Sequence, residues 1–111
     1  MVIRSPRRDE VWLVTLDPTH GAEMQKTRPC LVVSPDEMNL DLQNVIVAPM
    51  TTTIRLYPTR VSLRFQGKAG QVALDQLRAV DKGRLVRRLG TVSATAGLQT
   101  SDVLLEMFSR Q

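Results

Sequence analysis

Asp17–Asp36 reads DPTHGAEMQKTRPCLVVSPD. A polar loop runs up to Thr27-Arg28-Pro29, and the apolar run Cys30-Leu31-Val32-Val33 begins at once. That switch marks the mouth of a strand, predicted over Cys30–Ser34 and stopped by Pro35. Pro29 fixes its own φ and biases Arg28 toward an extended conformation. The loop therefore mounts a cation at a strand end. A guanidinium stays charged at any working pH and offers a planar fork of donors that suits phosphate. A solvated arginine at a strand end explains the same residues, so the rest of the chain has to decide.

Working outward, Glu10–Leu16 is nearly continuous in apolar character and reads as a strand buried on both faces. Asp17-Pro18 ends it, and Gly21 permits a turn. Asn44–Met50 is the third strand. Pro49 has no backbone donor, so that end is expected to be an edge or a bulge. Thr51-Thr52-Thr53 opens a loop through Arg55 and Tyr57-Pro58. Thr59–Phe65 alternates, with Thr59, Val61, Leu63 and Phe65 on one face and Arg60, Ser62 and Arg64 on a basic outer face. Gln66–Gly70 is a turn, and Gln71–Leu74 and Leu77–Val80 are short strands. Asp81 can cap one helical turn over Lys82–Leu85. Val86–Val92 fits either period and is assigned as strand. Ser93 is a helix N-cap, and Ala94, Leu98, Leu104, Leu105 and Phe108 fall within about a third of the wheel that follows. Residues 1–9 carry Arg4, Pro6, Arg7 and Arg8 without a period, and read as a mobile N-terminal arm. Short strands, Gly/Pro turns and a terminal helix predict a mainly β fold, a small, partly open antiparallel barrel with a helix packed on it.

The chain has 111 residues, the length of one domain with a modest core. Neither a membrane-spanning run nor a secretory signal pattern is visible. The single cysteine, Cys30, has no partner for an internal disulfide, which fits a reducing cytosol. One Cys and one His make no zinc cluster, and no acidic pair has a metal-site spacing. The net charge is +4 with pI near 10, and Arg55, Arg60, Arg64, Arg78, Arg84, Arg87 and Arg88 all fall in the second half. A basic chain suits an anionic partner, either nucleic acid or an acidic protein segment. The only aromatics are Trp12, Tyr57, Phe65 and Phe108, too few for a stacking platform, so phosphate contacts would carry RNA binding.

Several pieces occur in a fixed order: Val11-Trp12, Asp17 to Gly21 (DPTHG), Glu23, Arg28-Pro29 with LVVSP behind it, Asn39, Val47 to Thr51 (VAPMT), Tyr57-Pro58, and Asp75 to Leu85 (DQLRAVDKGRL). In this the chain resembles the MazF/PemK toxins of bacterial toxin–antitoxin modules, from Arg8 to Phe108. No single piece is diagnostic; the ordered set is. The resemblance implies an SH3-like, CcdB-like barrel. It also implies a ribosome-independent, metal-independent, sequence-specific endoribonuclease of the bacterial cytoplasm, which needs no cofactor and has no membrane association. Its partners would be single-stranded mRNA, a second copy in a homodimer, and a MazE-type antitoxin whose acidic, disordered tail competes for the RNA groove.

The resemblance also distributes roles. Arg28 and Thr51 match the arginine and threonine that serve the scissile phosphate while the 2′-hydroxyl attacks, giving 2′,3′-cyclic phosphate and 5′-hydroxyl ends. Glu23 matches an acidic position proposed as base, and Asp75 an aspartate used in the plasmid branch. That branch's arginine is Ala73 here and its loop histidine is Ala22, so its proton-transfer set does not carry over. Asp9 stands where members usually carry glycine. His20 is the only histidine and is either a proton shuttle or a plain loop residue. Asp75 could orient the site, recognise a base or cap a turn. Thr52 and Thr53 stand in for Thr51 if the strand end shifts. Lys26, Thr27, Arg55, Arg60 and Arg78 are candidate RNA contacts, and Arg60 and Arg64 could equally be a solvated strand face. The loops Thr19–Thr27 and Thr51–Tyr57 flank the site as gates. Rival readings are a gyrase poison, which depends on a C-terminal tryptophan this chain lacks, and a degenerate member that only binds.

Overall fold

The computed structural model describes residues 5–16 and 20–110. The Asp17-Pro18 stop and Thr19 lie outside the described residues. In chain order the elements are β1 (Glu10–Thr15), β2 (Thr27–Val32), α1 (Asp36–Asp41), β3 (Asn44–Thr51), β4 (Arg60–Phe65), β5 (Lys68–Ala73), β6 (Arg78–Asp81), β7 (Leu85–Thr91) and α2 (Ala94–Phe108). The strands form one seven-stranded antiparallel sheet in the order β4-β5-β3-β2-β1-β7, with β6 also on β3. The sheet curls until the β4–β5 hairpin reaches β7. There Gln66 Nε2 donates to the Leu89 carbonyl at 2.9 Å, so a side chain closes the curl where no ladder does. The partly open barrel with a terminal helix is the architecture the sequence predicts.

The central strands carry continuous apolar runs because both of their faces are covered. Val11, Leu31, Ala48, Val61, Val72 and Leu74 pack on one side, beneath α2. Val14, Cys30, Val32, Val45, Val47 and Val80 form a second cluster on the other. Trp12 rests half-buried on this second cluster and donates from Nε1 to Glu10 Oε1 at 3.1 Å. Cys30 is fully buried, and desolvation pushes its thiol up to about 12, so it behaves as a small apolar residue.

The structure corrects several expectations and adds one helix. The second strand starts at Thr27, which puts Arg28 and Pro29 inside it, opposite Val14 and Leu13. Pro29 is tolerated there because pairing with β3 begins only at Cys30, so no partner asks for its missing donor. A short helix, α1, follows Pro35; Asp36 and Glu37 occupy its first turn, and buried Asn39 donates to the Ser34 carbonyl at 3.1 Å. The N-terminal segment is not an arm from Pro6 onward. Pro6 is buried, the Arg8 amide donates to Asp36 Oδ1 at 2.8 Å, and Asp9 bonds through its backbone to Val32 and Val92. Finally, α2 packs through Ala96, Gly97, Thr100, Val103, Leu104 and Met107, while Leu98, Leu105 and Phe108 face outward. The turn after β4 is tighter than expected. Gln66 and Gly67, both at positive φ, join β4 to β5 in a two-residue hairpin. The Asp81 cap and the Ser93 cap form as expected, accepting from the Gly83 and Ala96 amides.

Candidate active site

Two strands deliver the site. β2 and β3 pair Cys30 with Pro49, Leu31 with Ala48 and Val32 with Val47. Continuing that register two residues further sets Arg28 against Thr51. The ladder stops short of them, at Cys30 and Pro49, and β3 changes its other partner close by. Its first half pairs with β6 over Asn44–Val47, and its last two residues, Met50 and Thr51, pair with β5. The two strands splay at this point and leave a cavity of about 530 Å³. Arg28, Thr51, Thr52 and Thr53 share its wall with Lys68, Gly70 and Gln71, and Met50, Leu63, Phe65 and Leu89 give it an apolar floor. Gly70 is required here, since a Cβ would lie 2.7 Å from the Thr51 carbonyl oxygen.

The hydrogen-bond donors of the two central residues are set by their local bonds. Thr51 Oγ1 accepts from the Thr53 amide at 3.1 Å, so its own O–H is left to donate. Arg28 Nε donates to the Gln25 carbonyl at 3.3 Å, and Nη1 rests on Met24 Sδ at 3.6 Å. Among the described residues, Nη2 has no protein partner. The result is one cationic and one neutral donor on a common wall.

Glu23 and His20 lie on the exposed loop that precedes β2, and neither lines the cavity. The His20 amide donates to Glu23 Oε1 at 2.9 Å, and the Glu23 amide donates to the His20 carbonyl at 3.2 Å. Glu23 Oε2 is 3.8 Å from Arg78 Nη1. Lys26 is exposed at φ 68, and its carbonyl accepts from the Leu16 amide. Thr27 lies across from Thr15 at the strand mouth. Arg55 is exposed on the second loop, and its backbone is clamped by Gln71, which accepts from the Arg55 amide and donates to its carbonyl, both at 3.0 Å. Gln71 is only 4% exposed, and neither it nor Lys68 stands out in the sequence, where Gln71 passes for an ordinary strand polar residue and Lys68 for part of a turn.

Asp75 is drawn into a different cluster. Arg60 Nε donates to Asp75 Oδ1 at 2.8 Å, Arg60 Nη2 to Oδ2 at 3.3 Å, and the Thr59 hydroxyl to Oδ1 at 3.0 Å. Arg60 also sits over the Tyr57 ring at 5.2 Å. These bonds, the one from Arg60 above all, hold the Asp75 carboxyl below the usual range. The Arg60 side chain is 6% exposed, so it is no solvated strand face. Arg64 does face solvent and donates to the Gly67 carbonyl at 3.0 Å. Among the described residues, no three His, Cys, Asp or Glu side chains group as metal ligands. No described helix is long and apolar enough to cross a membrane.

Comparison with known proteins gives the same outline. Residues 7–108 match a family model described as PemK-like, MazF-like toxin of type II toxin-antitoxin system. The endoribonuclease PemK of Escherichia coli is 42% identical over 94 residues, covering 79% of this chain and 71% of its own. The endoribonuclease MazF9 of Mycobacterium tuberculosis is 35% identical over 108 residues, covering 88% and 92%. The crystal structure of MazF from Deinococcus radiodurans superposes with a TM-score of 0.84 at 25% identity, over 95% of this chain and 97% of that one.

Proposed function

The chain belongs to the PemK-like, MazF-like toxins of type II toxin–antitoxin systems, and from that premise we propose that it is a sequence-specific endoribonuclease. It acts on single-stranded RNA without a metal ion or the ribosome, and its products are 2′,3′-cyclic phosphate and 5′-hydroxyl ends. The observation that carries this reading is the pairing of Arg28 with Thr51 on one cavity wall, each with donor capacity turned to no other described group.

In the reaction the 2′-oxygen forms a bond to phosphorus and the bond to the 5′-oxygen breaks. One proton leaves the 2′-hydroxyl and one reaches the departing 5′-oxygen. Charge grows on the non-bridging oxygens in between. Arg28 supplies charge-assisted donors to those oxygens and Thr51 a neutral one, an arrangement of the oxyanion-hole type. Glu23 is assigned to accept the proton, and His20, next to it on the loop, to return one. Asp75 is bonded to Arg60 and stays ionised, so it has no proton to give and serves the framework instead. Thr52, Thr53, Lys68 and Arg55 line the path of the strand on either side, supported by their place on the cavity wall and its adjoining loop.

The same reading gives the chain an antitoxin partner, in keeping with the description of its family. An acidic, disordered tail of that partner would occupy the basic groove in competition with RNA. It also makes the working unit a homodimer, for which the outward Leu98, Leu105 and Phe108 of α2 supply an apolar face.

The test is to map cuts on a long defined RNA in EDTA. Discrete cuts with 2′,3′-cyclic phosphate ends are expected. Arg28→Ala should lower single-turnover cleavage by a hundredfold or more, equivalent to about 3 kcal/mol of barrier, and Thr51→Ala by about tenfold to a hundredfold. Equal cutting by wild type and Arg28→Ala would sink the assignment.

A further inference from the structure

The loop over residues 20–26 has no helix or strand of its own, yet one short segment holds it from the side. The Met24 amide donates to Gln76 Oε1 at 3.3 Å, and Arg78 Nη1 donates to the Met24 carbonyl at 3.1 Å. Both backbone polar groups of Met24 are thus tied to Gln76 and Arg78. The guanidinium is itself fixed, since Nε donates to the Gln76 carbonyl and Nη2 to Gln76 Oε1, each at 3.2 Å. Glu23 Oε2 lies 3.8 Å from Nη1. From the other side the same stretch receives Arg28, through Met24 Sδ and the Gln25 carbonyl. Met24 therefore lies between two guanidinium groups, and only one of them borders the cavity.

The anchor of this clasp is informative. Arg78 belongs to β6 and pairs directly with Val47 of β3, the strand that delivers Thr51 four residues later. A line of contacts thus runs from Thr51 along β3, across to Arg78, into Met24 and on to Arg28 and Glu23. We infer that Arg78 is a positioning residue that references the Glu23 loop and the Arg28 side chain to the strand bearing Thr51. The role rests on the endoribonuclease reading above. With all three nitrogens engaged and a side chain 17% exposed, Arg78 has little left to offer RNA. Lysine cannot replace it, because a single ammonium has no planar fork to bridge Met24 and both acceptors of Gln76.

The experiment uses the full chain as wild type, Arg78→Lys and Arg78→Gln. The probes are a short RNA spanning a mapped cut and the same RNA with a 2′-deoxy nucleotide there, which binds but cannot be cut. Arg78→Lys is expected to lower single-turnover cleavage at saturating RNA by about tenfold to a hundredfold, as misplacement of reacting groups does. Affinity for the deoxy RNA and its salt slope should stay within about twofold of wild type. Hydrogen exchange at the Met24 amide should accelerate while the β2 and β3 core amides stay protected. A salt slope smaller by about one would make Arg78 a phosphate contact and overturn the role. Unchanged cleavage by Arg78→Lys would overturn it as well. So would unfolding of both variants, since the residue would then be purely structural. Should only Arg78→Gln unfold, Arg78→Lys decides. A wild type that cuts no RNA fails the endoribonuclease reading instead, and exchange at Met24 still judges the clasp, with unchanged exchange counting against it.

Discussion

Asp9 adopts φ 74, the left-handed region in which glycine is at ease and aspartate is among the few tolerated alternatives. Its side chain is accommodated by a second small residue. A Cβ on Gly97 would lie 2.5 Å from Asp9 Oδ2, so the bare Cα of α2 makes room for the carboxylate. Burial raises the Asp9 pKa, a sign that this room is poorly solvated. The two positions form an exchange pair. Gly97→Ala alone should destabilise the fold by about 1 kcal/mol, because overpacking exceeds the gain in helix propensity. In an Asp9→Gly background the same change should stabilise it by a similar amount. Urea denaturation of the four chains measures the coupling, and additivity would refute it. The departure at Asp9 was visible in the sequence. Its partner was not, because nothing local to Gly97 reports which side chain lies across from it.

At the scale of elements, Arg28 and Thr51 were legible as a pair only through the family resemblance of Arg28-Pro29 and Val47–Thr51, while the apolar runs and the prolines Pro29 and Pro49 marked where the two strands lie. Their shared register was not legible, since strand pairing is a non-local property. The helix α2 shows the complementary limit. Its apolar residues suggest one buried stripe, yet Ala96, Gly97 and Thr100 make the closest approach, and Leu98 and Leu105 are each more than two-thirds exposed. Hydrophobic periodicity reports that a face is covered without saying whether the cover is intramolecular. The loop from Thr51 to Arg60 closes on the Arg60–Asp75 pair, and that gives a pH dependence. The Asp75 pKa is lowered in the fold, first through the hydrogen bond from Arg60. Stability from this pair is therefore complete above the ordinary aspartate value of about 4 and is lost as pH falls through the lower folded value. Asp75→Asn should cost about 1 kcal/mol at pH 7, after discounting for the partial exposure of the carboxylate. The gap between wild type and variant should narrow steadily below about pH 4 in thermal melts. A constant gap down to pH 2 would show that the carboxylate charge contributes nothing.

For the whole molecule, the open side of the barrel and the outward face of α2 leave apolar surface that a lone chain does not cover. Leu98, Leu105 and Phe108 recur at helical spacing on one face, and a charge placed among them should split the proposed homodimer. Leu105→Glu is expected to sediment as a monomer with unchanged circular dichroism. A dimer that persists would place the interface elsewhere. The basic excess of the chain adds a second whole-molecule expectation, since RNA affinity should fall steeply as salt rises.

Besides its pairing with β2, β3 serves two neighbours in turn, β6 with its first half and β5 with its last two residues, and the changeover falls at Ala48 and Pro49. One inserted or deleted residue within it would swing Thr51 to the opposite face and expose the valines behind it. No such constraint binds residues 54–58, which lie beyond the Thr53 amide that bonds Thr51 Oγ1, are exposed, and are fastened to the barrel chiefly where Gln71 holds Arg55. Descendants of this chain can therefore lengthen, shorten or rewrite that stretch while inheriting the strand unaltered. On the proposed reading, RNA contacts carried by that stretch can change along a lineage while the packing of β3 keeps Thr51 in place.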